Sequence, residues 1–129
     1  MNLKYDMAPI SEDYEAFFDM LKPSSYKYIN GTSGRIHTGF VAQEVVTALY
    51  SNNLTTKEFA GVYLDDTEKH GTVWSLRRDE FVALNTWQIQ KLKPRITSAE
   101  QEIEQLKAEV QQLRTELENL QNSQNSDII

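Results

Sequence analysis

Cysteine is absent from all 129 residues. Neither a disulfide framework nor a thiolate-ligated metal site is open to this chain. Long apolar runs are missing too. Nothing approaches the roughly 18 consecutive residues that a membrane-spanning helix needs. The first residues carry Lys4 but no apolar stretch after it, so they do not read as a secretory signal. There is no basic stripe. Residues 1–96 hold 11 Lys/Arg and 12 Asp/Glu, and residues 97–129 hold 2 and 7, so the acidity lies in the last quarter. Such a chain repels phosphate, which argues against a nucleic-acid partner. No Gly-rich phosphate loop and no Ser-His-Asp order is apparent. No cofactor is expected. The length suits one small domain rather than two.

What is present begins with a short helix signal. Ser11 precedes Glu12 and Asp13, an N-cap with acids in the first turn. Tyr14, Phe17, Phe18 and Leu21 follow at helical spacing, and Pro23 predicts a stop at Lys22. Tyr26 and Tyr28 alternate with Lys27 as in a half-buried strand. Asn30 to Gly34 is turn sequence, and 35–40 reads as the returning strand. Residues 42–50 read as a helix burying Val45, Val46 and Leu49, ended by Ser51-Asn52-Asn53. Residues 60–64 and 72–76 look like a second hairpin around 65–71. From Asp79 the pattern turns helical and stays so to about Leu120, with 121–127 a polar segment expected to fray. The domain reading is therefore 1–78 globular, 79–121 a long helix, and 122–129 a polar tail.

The long helix carries the strongest pattern. With Val82 at position a of a heptad, Ile89, Ile96, Ile103, Val110 and Leu117 also fall at a. Position d holds Asn85, Leu92, Ala99, Leu106, Leu113 and Leu120. An unslipped repeat of about 3.5 residues specifies a left-handed coiled coil. Position g holds Glu102, Glu109 and Glu116, and position e holds Lys107 and Arg114. In a parallel coil Glu102 meets Lys107 and Glu109 meets Arg114 of the neighbour. An antiparallel coil would set Glu against Glu. Each exposed pair contributes only about 0.2–1 kcal/mol, but the sign selects parallel strands. β-branched residues at a with Leu at d favour two strands. Pro94 falls at f, on the outside, at a cost of about 3 kcal/mol. Either the helix kinks there and continues, as the register suggests, or it breaks and restarts at the capping-box pair Thr97 and Glu100.

Three blocks carry a family resemblance. His37-Thr38-Gly39-Phe40-Val41-Ala42-Gln43-Glu44-Val45 resembles the H-x-G-F-x-A-Q-E-V core of the C-terminal intramolecular chaperone domains of phage tail spikes and fibres, the endosialidase type. Leu76 to Asn85, followed by Ile89-Gln90-Lys91-Leu92, is similar to that family's second block. Asp19 to Tyr28, with Leu21-Lys22-Pro23-Ser24-Ser25-Tyr26, resembles the segment before the first. The resemblance implies an α+β fold: a small globular part with short helices and β-hairpins, then a long C-terminal helix in a parallel trimeric coiled coil. It sets three strands against the two of the general rule. The implied trimer core is Val82, Ile89, Leu92, Ile96, Ile103, Leu106, Val110, Leu113, Leu117 and Leu120. The motif residues are His37, Gly39, Phe40, Ala42, Gln43 and Glu44.

The resemblance also implies self-cleavage. In the family a Ser-Asp bond is cut, with a Lys five residues after the Ser as base. Leu3-Lys4 followed by Pro9-Ile10 resembles the family's L-K-x4-P-I run. Lys4 then takes the base's place, and the nucleophilic Ser falls two residues before Met1. The chain reads as the released chaperone, inactive as a protease by itself, with Met1 an added initiator or a fragment boundary. A Ser hydroxyl needs a nearby base, and desolvation can fit a Lys for that task. His37 is a possible support, against its reading as a structural histidine. Weaker candidates are Ser11, better read as an N-cap, and the dipeptide Ser126-Asp127. His70 reads as solvated, Asp65 to Glu68 as a polar hairpin tip, and Arg77-Arg78 as a solvated helix start. The implied partners are two further copies and the upstream β-rich fibre, in the cytoplasm of an infected bacterium. A plain coiled-coil oligomerisation or adaptor module without cleavage is the alternative that the heptads support equally.

Overall fold

The computed structural model describes residues 3–127. The chain divides into two compact units after Trp87. The first unit opens with an irregular stretch that bends at Asp6, φ 53°, and then the capped turn expected at Ser11. Its hydroxyl accepts the Asp13 N–H at 3.2 Å and starts a 3-10 turn, Glu12–Tyr14, that runs into α1 (Glu15–Met20). Leu21 is already extended and its N–H bonds the Phe18 carbonyl. The helix thus ends two residues earlier than the Pro23 rule alone places it.

Strands β1 (Ser24–Tyr26) and β2 (His37–Gly39) form an antiparallel pair, with Tyr26 opposite His37 and Ser24 opposite Gly39. They are shorter than the sequence suggested: Tyr28 and residues 35–36 lie outside the ladder. The connection explains why. Gly31 N–H bonds the Tyr28 carbonyl at 3.2 Å, and Gly34 takes a positive φ of 64° that glycine accepts without strain.

Helix α2 (Ala42–Ser51) buries Val45, Ala48 and Leu49, with Val46 only partly covered. Its end shows how Asn53 stops it. Asn53 sits in the left-handed region at φ 59°. Its N–H bonds the Tyr50 carbonyl and the Leu54 N–H bonds that of Leu49. This is a Schellman closure with asparagine in the usual glycine place.

Strands β3 (Val62–Thr67) and β4 (Gly71–Leu76) pair antiparallel from Val62 opposite Leu76 to Thr67 opposite Gly71. Val62 at the base is fully buried and the turn residues are exposed. The hairpin is therefore anchored at one end. Gly61 beneath it is required by packing: a Cβ there would lie 2.3 Å from the Phe59 ring. The core of this unit is Phe17, Val45, Ala48, Leu49, Leu54, Phe59, Val62, Phe81 and Leu84. A run of rings ties it together. Phe17 meets Phe59 edge-on at 5.1 Å, Phe59 meets Phe81 edge-on at 5.2 Å, and Phe81 stacks on Phe40 at 4.9 Å. Such pairs add about 0.5–1.5 kcal/mol each beyond the area they bury.

Helix α3 spans Arg78–Asp127. Pro94 lies inside it, so the helix continues rather than restarting. Thr97 does not cap a new helix; its hydroxyl donates to the Lys93 carbonyl at 3.1 Å, four residues back. The polar segment from Gln121, expected to fray, is helical through Asp127. The α+β architecture expected from the sequence, short helices and two small hairpins followed by one long helix, is the one found.

Candidate functional site

Residue pairing across β1 and β2 assembles a polar-aromatic cluster. Tyr26 and His37 face each other in the ladder and their rings stack at 5.8 Å. Tyr28 closes on both, edge-on to Tyr26 at 5.4 Å and to His37 at 4.8 Å. A hydrogen bond with the Tyr28 side chain raises the Tyr26 hydroxyl above its ordinary pKa, the Arg78 cation opposing. Gly39 lies under the Tyr26 ring, where a Cβ would sit 3.4 Å from it.

This cluster forms one side of a cavity of about 740 Å3. Tyr63, Trp74, Arg78, Val82 and Asn85 line other parts of it. Arg77 is exposed at the start of α3, as expected, and also makes two contacts. Its guanidinium lies over the Tyr63 ring at 4.1 Å and its Nη1 donates to the Ala60 carbonyl at 3.1 Å. Stacking of this kind contributes about 0.5–1 kcal/mol at exposed sites.

The motif residues divide by role. Phe40 packs on the core, and His37 and Gly39 belong to the cluster. Ala42 lines the cavity, while Gln43 and Glu44 are exposed at the start of α2. Lys4 is exposed on the irregular N-terminal stretch. Ser11 caps the first turn, as the sequence predicts. His70 is exposed in the β3–β4 turn, its backbone N–H donating to the Thr67 hydroxyl at 3.0 Å. Ser126 is helical and its hydroxyl donates to the Asn122 carbonyl, while the question of Met1 lies outside the described residues. Among the described residues no group of three metal-ligating side chains comes together.

The second unit presents one apolar stripe. Leu92, Ile96, Ile103, Leu106, Val110, Leu113, Leu117 and Leu120 are each between 46 and 64 % exposed. A shallow groove of about 410 Å3 runs beside Ile103, Leu106, Lys107, Val110, Gln111 and Arg114. The helix's own polar contacts are weak. Lys107 pairs with Glu104 at 3.4 Å with both side chains largely in water, and Gln105 and Gln112 donate to Glu109 and Glu116.

Two parts thus define the class: a small head with a packed aromatic core, and a long helix whose apolar residues stay about half exposed among the described residues. Comparison gives this class its relatives. Residues 1–54 match the family described as chaperone of endosialidase. A crystal structure described as that of a novel intramolecular chaperon shares the fold, with a TM-score of 0.59 and 24 % identity over 70 % of this chain and 95 % of that one. No curated protein matches the chain. The family match supports the endosialidase-type resemblance over residues 1–54, and the neighbour shares the fold. The family match takes in the His37 to Val45 block and the segment before it, and the block from Leu76 lies beyond it.

What sequence reasoning missed is the cavity. The alternation Tyr26-Lys27-Tyr28 was visible, but its closure on His37 depends on the register of a two-stranded ladder. Tyr63, Trp74 and Arg78 carried no motif that joined them to it.

Proposed function

We propose that this chain is an intramolecular chaperone. It trimerises through α3, assists folding of an upstream β-rich phage fibre or appendage, and is separated from it by Ser-Lys self-cleavage in the infected cell. The observation that carries the reading is the exposed a/d stripe on a helix whose chain matches the chaperone family over residues 1–54. Burying a Leu or Ile contributes about 1.5–3 kcal/mol, so leaving a whole stripe in water is costly unless other copies cover it. A triple-stranded fibre needs three chains in register before its long-range contacts form, and that step is slow and aggregation-prone. A parallel coil raises the local concentration of the strands and aligns them. The β3–β4 hairpin, anchored at Val62 and free at its turn, has the form of an arm that encloses the emerging chains.

Lys4 is the proposed base. Its amine takes the proton of the Ser hydroxyl as that oxygen attacks the Ser-Asp carbonyl carbon; the C–N bond breaks, the Asp amine leaves with the proton that Lys4 returns, and water hydrolyses the resulting ester to a carboxylate and the free Ser hydroxyl. The test uses a longer precursor that includes the Ser-Asp junction. It runs as two bands on a denaturing gel when unaltered. Lys4→Ala leaves one band with trimers still formed. Lys4→Arg does the same, because a guanidinium stays protonated. Normal cutting by the Lys4→Ala precursor removes Lys4 from the mechanism and makes His37 the next residue to test. A precursor that never cuts but stays trimeric favours the plain oligomerisation module.

A further inference from the structure

The first turns of α3 have two faces. Phe81 and Leu84 are buried in the core at 5 and 3 % exposure, while Val82 is 60 % exposed and Asn85 is exposed. In the heptad frame Arg78, Val82 and Asn85 stand at d, a and d, the opening layers of the coil seam. The same three side chains line the 740 Å3 cavity that holds Tyr26, Tyr28 and His37. A helix laid along the seam at this height therefore meets three of the residues that line the cavity.

We propose that this cavity is an intersubunit socket, closed by the first α3 turns of a second copy of the chain. The inference rests on the parallel trimer proposed above, and adds to it that the His37 motif cluster is an assembly surface. Three observations favour this occupant. The cavity is continuous with the seam, sharing its Arg78, Val82 and Asn85. The lip residue Tyr28 is 59 % exposed and outside the core. The charges also match. Arg77 is engaged over Tyr63, while Arg78 lines the cavity with Tyr26. In a parallel coil e flanks the neighbour's d, so Asp79 of a second copy comes beside Arg78. The head would then read the coil's assembly directly, through Tyr28 and His37.

The absence of cysteine makes a clean test. Tyr28→Cys supplies a single thiol at the lip, and its rate of reaction with a bulky maleimide reports access. The rate is measured in the trimer and in the same chain made monomeric by Ile103→Asp, with sedimentation run on both samples. The expected result is a rate about tenfold lower in the trimer, while a His70→Cys control at the hairpin turn reacts equally in both. Equal Tyr28→Cys rates with trimers present overturn the socket and leave the chaperone reading standing. Protection that appears only with the upstream fibre attached also overturns it, because the occupant is then the fibre. If Tyr28→Cys is monomeric while the unsubstituted chain is trimeric, the lip is shown to carry association and the socket stands. An unsubstituted chain that is itself monomeric removes the trimer and the socket together.

Discussion

The two units solve the same problem in opposite ways. Up to Trp87 the large apolar residues are gathered from distant parts of the chain, so that Phe17, Phe59, Phe81 and Phe40 touch in series. Beyond it they repeat at heptad spacing along one helix and stay about half exposed. The first arrangement is complete within one chain. The second, on the proposed reading, is completed between chains. The difference teaches that the head's stability and the proposed assembly rest on separate sets of residues, so each can be broken by itself.

The sharpest break is Ile103→Asp. It sets like charges against one another at a core layer of the coil, and a buried unpaired charge costs several kcal/mol. Association is lost, α3 beyond Trp87 loses helicity, and the head keeps its near-ultraviolet signal; sedimentation with circular dichroism checks all three. Phe81→Ala does the reverse. It removes the ring between Phe59 and Phe40 and costs the head about 3–5 kcal/mol. Thermal unfolding then shows a head transition that moves down and a coil transition that does not.

Pro94→Ala sharpens the comparison from the other side. It restores a helical N–H and removes a ring from the interior of α3, worth up to about 3 kcal/mol, and raises the coil transition alone. The smallest effect is at Glu58. Its carboxylate accepts the Thr55 hydroxyl and the Thr55 N–H, which holds it below the usual carboxylate range. A lowered folded-state pKa contributes stability above the unfolded value and loses it as pH falls through the folded one. Glu58→Gln should therefore flatten the acid limb of the head's stability curve slightly and leave the coil's unchanged. Paired urea titrations across acidic pH check this.

How much was legible follows the same division. The helix pattern is local and periodic, so the long helix and its exposed apolar stripe could be read from residue spacing. Ser11 and Asn53 were also readable, because caps act through their own neighbours. The ends of the first hairpin were not. Tyr28 prefers packing on His37 to extending the ladder, and that choice depends on a contact across the turn. The stacking of Arg77 on Tyr63 and the cavity beside Arg78 were hidden for the same reason: their partners come from β3, β4 and α3, brought together only by the fold. The reach of α3 to Asp127 was obscured by composition, since polar residues without an apolar stripe read as tail even where the helix persists.

The central claim is that the stripe on α3 is covered by other copies of the chain. The mass of the unsubstituted protein, measured by sedimentation equilibrium at micromolar concentration, tests it most directly. The account predicts three times the single-chain mass, falling to one with Ile103→Asp. A stable monomer at that concentration would contradict it.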